Sequence, residues 1–160
     1  MNLFEWQAGI IEGAGRTMAY AIENTDQSKV EWKPVADASS KCRCILDMAA
    51  ECIGLNKALT RMFSGAEMPA RAGGPPERTF ANSEEAQQQL TQSAKELGAV
   101  VRGLDESVLD HRYPTPFGPM KGSLLLMIAA GNMQYHSGQI NQIQLLYGDT
   151  EDHFPPEAFE

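Results

Sequence analysis

No long apolar run occurs in this sequence. The longest uninterrupted one, residues 124–130, is far short of the roughly 20 residues that cross a bilayer as a helix. Positive charge is in short supply: 13 Lys and Arg stand against 21 Asp and Glu, a formal net charge of −8. An acidic surface repels phosphate backbones and anionic lipid, so neither nucleic acid nor a membrane is an expected partner. A basic N-terminal region is missing as well. The opening MNLFEWQAGIIEG carries Glu5 and Glu12 and does not read as a signal peptide. Cysteine is scarce. Cys42, Cys44 and Cys52 are odd in number, contain no C-x-x-C pair and are followed by no histidine pair, which argues against a cysteine zinc site. Cys42 and Cys44 fall two apart on an expected helix, where side chains point apart. Free thiols in a reducing cytoplasm are the expectation, rather than a disulfide framework. No internal repeat and no alternating β-branched pattern occurs, so no strand is expected.

What is present reads as one globular domain. At 160 residues, 42% apolar and 21% charged, the chain can bury a sizeable core. Four segments repeat apolar residues at helical spacing. The first, about 3–24, steps through Leu3, Ile10, Ala14, Met18 and Ala21. The second, about 39–63, carries Ile45, Met48, Cys52, Leu55, Leu59 and Met62, with Ser39 or Ser40 as its cap and Gly65 just past its end. The third begins at Asn82, with Glu85 placed to complete a capping box, and its stripe runs Leu90, Ala94, Leu97, Val101, Leu104, Val108. The fourth, about 123–147, stops at Gly148. Proline- and glycine-rich loops separate them, the longest at 64–81. The expected fold is all-α, an antiparallel four-helix bundle over residues 1–148, followed by an acidic tail, 149–160, draped on the surface or mobile.

Two polar interruptions stand out on the apolar stripes. In the fourth helix, Leu125, Ala129, Asn132, His136, Ile140, Ile143 and Tyr147 share a face, and two of them are polar. Burying such groups without partners costs on the order of 1–3 kcal/mol each. In the second helix Glu51 sits between Met48 and Leu55, where a carboxylate needs a cation, a donor or water. Bundles build metal sites by bringing such residues together from facing helices. The structural alternatives are plain: His136 as a hydrogen-bonded core histidine, Asn132 paired with a carbonyl or a buried water, and Glu51 solvated at the stripe's edge.

The segment MQYHSGQINQIQLLYG, residues 133–148, resembles the C-terminal signature of the DinB-like family, and Trp32-Lys33-Pro34 resembles that family's approach to its second helix. The order and spacing of the four helices agree, so the resemblance spans nearly the whole chain. It implies a bundle holding zinc or nickel through one histidine of the second helix and an H-x-x-x-H pair of the fourth. Relatives activate a low-molecular-weight thiol, such as bacillithiol, for transfer to an electrophile, or act as hydrolases or isomerases. By this resemblance His136 matches the last histidine, Asn132 stands where the other should be, and either Met48 or Glu51 holds the second-helix position.

Two readings follow. In one, the protein is a divergent family member with a degenerate site, weak or absent metal-dependent catalysis, and no metal or a weakly bound one. In the other, Glu51, Asn132 and His136 hold a divalent metal for thiol transfer or hydrolysis, or Glu51 and His136 work without one as an acid/base pair in which Glu51 orients the imidazole. A small molecule in the bundle core and a homodimer are the partners the resemblance implies.

Overall fold

The computed structural model describes residues 2–35, 42–66 and 77–156, and these residues form a mostly helical molecule. Helix α1 spans Leu3–Glu23, α2 Ile45–Phe63, α3 Ser83–Arg102, the short α4 Ser107–Asp110 and α5 Gly122–Leu146. Between α4 and α5, β1 (Arg112–Tyr113) pairs antiparallel with β2 (Met120–Lys121). This ladder corrects the expectation of no strand. Two residues a side are too few to show alternation in a sequence.

Local chemistry sets the helix ends. Asn2 Oδ1 accepts from the Glu5 N–H at 2.8 Å and opens α1. Asn82 does the same for α3, accepting from Glu85 N at 2.9 Å, while the Glu85 carboxylate reaches back one residue further than expected, to the Ala81 N–H at 2.8 Å. Helix α2 starts at Ile45, with Cys44 as its N-cap residue. Ser39 and Ser40, the expected cap, lie outside the described residues. Cys42 and Cys44 therefore precede the helix and are not on it, and none of the three cysteines is in a disulfide. Gly148 follows α5 with φ of +98°, a left-handed conformation that suits glycine at a helix end.

The four long helices enclose one core. Helix α1 packs on α3 and α5, and α2 packs on the same two. Gly15 permits a close approach of α1 to α3: a Cβ there would lie 2.6 Å from that of Ala94. The buried face of α1 runs Phe4, Ala8, Ile11, Gly15, Met18 and Ile22, joined by Ala14 and Ala21. Ala14, Met18 and Ala21 of the expected stripe are buried, whereas Leu3 is half exposed and Ile10 only partly buried. The expected face therefore holds for the second half of α1 and gives way to Phe4, Ala8 and Ile11 in the first. Helix α3 buries Leu90, Ala94, Leu97 and Val101 as expected and then stops, leaving Val108 to the separate α4. After α5 the chain keeps to the surface, where buried Pro155 joins Arg16 and Tyr20 of α1 in lining a shallow hollow. Among the described residues, no helix is long and apolar enough to cross a membrane.

Candidate functional site

Helix α5 turns the polar pair of its stripe inward. His136 is 96% buried, at 4% exposure, and Asn132 is partly buried one turn earlier. Opposite them, α2 contributes Met48, which is buried, and Glu51, which is partly exposed. All four line one cleft of about 440 Å³, rimmed by Pro34, Cys42 and Arg43 from the segments before α2. Gly131 and Gly138 face outward and leave this cavity untouched. The 64–81 loop lies partly outside the described residues.

The imidazole is held from one side and open on the other. Gln139, three residues along α5, uses its amide N–H to donate to the Tyr135 hydroxyl at 3.2 Å. Its Oε1 therefore meets His136 Nδ1 at 2.6 Å as an acceptor, which places the ring hydrogen on Nδ1. Nε2 is left with its lone pair, buried and without a hydrogen-bond partner, 3.5 Å from Glu51 Oε1. Burial pushes the His136 pKa down and the nearby Arg43 charge adds to this, against the opposing hydrogen bond to Gln139. A neutral ring follows. Gln139, and not Glu51, orients the imidazole: the carboxylate faces the same nitrogen that would face a substrate.

Glu51 is itself engaged. Its Oε2 pairs with the guanidinium of Arg43. Asn132 turns its amide nitrogen to the Cys52 sulfur at 3.3 Å, a partner other than the carbonyl or water expected. Burial raises the Cys52 pKa to about 12, more than the Asn132 hydrogen bond and the Arg43 charge offset, so this group stays a thiol. Helical spacing could have picked out Gln139, at i+3 from His136. Nothing in the pattern singled out Arg43, which lies outside any helix, just before α2.

The donor set does not fit the metal that the resemblance implies. One imidazole nitrogen and one carboxylate oxygen converge, the third expected ligand is an amide, and the carboxylate already carries a guanidinium. Among the described residues, no group of three His, Cys, Asp or Glu side chains could hold a metal ion. Fold and site thus define a mostly helical protein with a small, mixed polar and apolar cleft between α2 and α5. No protein-family model matches the chain, and no curated protein matches it.

Proposed function

We propose that this chain is a divergent DinB-like protein, an antiparallel four-helix bundle whose central site has lost its metal chemistry and serves as a small-molecule cleft. The observation that carries this reading is the Arg43–Glu51 ion pair. A guanidinium on the carboxylate that lines the cleft supplies positive charge where a divalent ion would sit, and like charge opposes a second cation. The resemblance of residues 133–148, the helix order and the free thiols support the assignment, with its cytoplasmic setting. A homodimer goes with it. Met127, Tyr135 and Leu145 are apolar side chains exposed on α5 and available to a second copy. The test is elemental analysis of protein purified without a histidine tag. Well under one equivalent of zinc or nickel is expected, and a stoichiometric metal would overturn the reading.

One observation favours the alternative, a metal-dependent thiol transferase or hydrolase using Glu51, Asn132 and His136. The 3.5 Å between Nε2 and Oε1 suits two ligands of one ion, each about 2.0–2.2 Å from it. On that account Glu51→Ala and His136→Ala would each abolish metal uptake; retention in both variants removes it.

A further inference from the structure

We infer that the cleft selects molecules with an uncharged head group that donates hydrogen bonds, a carboxamide or alcohol, carried on a short apolar tail. This rests on the reading of the site as free of metal. Two acceptors converge at the inner end of the cleft: His136 Nε2, buried and without a hydrogen-bond partner among the described residues, lies 3.5 Å from Glu51 Oε1. The fixed tautomer makes this an obligation: with the ring hydrogen committed to Gln139, Nε2 can only accept. A head group with an N–H or O–H satisfies both acceptors or the more buried of them, doing what a water molecule would do there.

Charge decides which donors enter. Glu51 and Arg43 already neutralise one another, and His136 is uncharged, so the inner end offers no net charge to compensate a ligand's own. A charged head group would lose its hydration without a free counter-ion, whereas a neutral one loses less. Met48, Ile143 and Leu146 line the same cleft and give an apolar tail its contacts. The volume of about 440 Å³ suits a molecule of metabolite size.

The experiment uses three probes with the same five-carbon chain on the full, untagged protein: pentanamide, pentylammonium and pentanoate. Binding is followed through the ring nitrogen signals of His136 in ¹⁵N-histidine-labelled protein. Pentanamide is expected to shift Nε2 and to bind at least about tenfold more tightly than either charged probe. Glu51→Ala, checked for retained helicity, should weaken pentanamide about fivefold, the loss of one hydrogen bond. Equal or tighter binding of a charged probe overturns the inference, as does an unmoved His136 signal at tens of millimolar pentanamide in metal-free protein. The metal content of the same sample keeps the two readings apart. Bound stoichiometric zinc defeats the degenerate-site reading, whereas a metal-free protein indifferent to pentanamide defeats only the ligand class.

Discussion

Asp47 and Glu51 lie one turn apart on α2, and each meets an arginine from outside the helix. Around Asp47 the donors are complete. Arg78 supplies Nε at 3.1 Å and Nη2 at 2.7 Å, Lys33 approaches at 3.3 Å, and the Cys44 N–H closes the second oxygen at 3.3 Å. Arg78 also pairs with Glu31, so both of its faces are used. Burial pushes the Asp47 carboxyl up, yet the hydrogen bonds from Arg78 and Cys44 outweigh it and hold the pKa at about 2. Around Glu51 the described residues supply less: one oxygen takes Arg43 and the other faces an imidazole lone pair. The same helix and the same residue chemistry therefore make one closed cluster and one open one. The closed cluster joins α2 to the segments on either side of it, and the open one keeps hydrogen-bonding capacity for a ligand.

The comparison breaks most readily at Arg78. Replacing it with alanine strips Asp47 and Glu31 together, and a loss on the order of 2–3 kcal/mol is expected in equilibrium urea unfolding. A loss below about 0.5 kcal/mol would make the closed cluster no more than surface decoration.

Acid should separate the two clusters by window. The His136 pKa is lowered from 6.5, chiefly by burial, so the folded chain binds fewer protons there than the unfolded one. Its contribution is complete above 6.5 and is lost as pH falls below that value. Asp47, lowered from 3.8 to about 2, contributes fully above 3.8 and loses its contribution as pH falls towards 2. Thermal melts between pH 7.5 and pH 2 should show both declines. His136→Leu should remove the upper one alone, and an upper limb unchanged in that variant would take His136 out of the account.

The smallest effect on stability, and the sharpest test of the open cluster, is Arg43→Ala. An ion pair this exposed contributes under about 1 kcal/mol, so the fold should barely change. Zinc affinity should nevertheless rise about tenfold by calorimetry, since Glu51 loses its resident cation. Unchanged affinity would mean that the guanidinium does not guard the carboxylate.

Much of the scaffold was legible residue by residue. The stripe of α2, the Asn82 cap and the glycine stop at Gly148 follow from periodicity and backbone conformation, which are local properties. The inward turn of His136 was legible for the same reason, as a polar residue in phase with Leu125, Ile140 and Ile143. Only the first half of the α1 face departs from expectation, because Leu3, Ile10 and the seam at Phe4, Ala8 and Ile11 all step by helical intervals. Only the partner helices distinguish one phase from the other.

The order of the helices, the Asn82 cap and the polar break in the α5 stripe belong to the chain by itself, because each depends on neighbours within a turn or two. That Arg43 reaches Glu51, that Gln139 settles the tautomer of His136, and that Arg78 closes over Asp47 were decided in three dimensions. Whether a carboxylate one turn from another is saturated or left hungry depends on which donors arrive from distant segments. Spacing along a helix carries no record of that arrival.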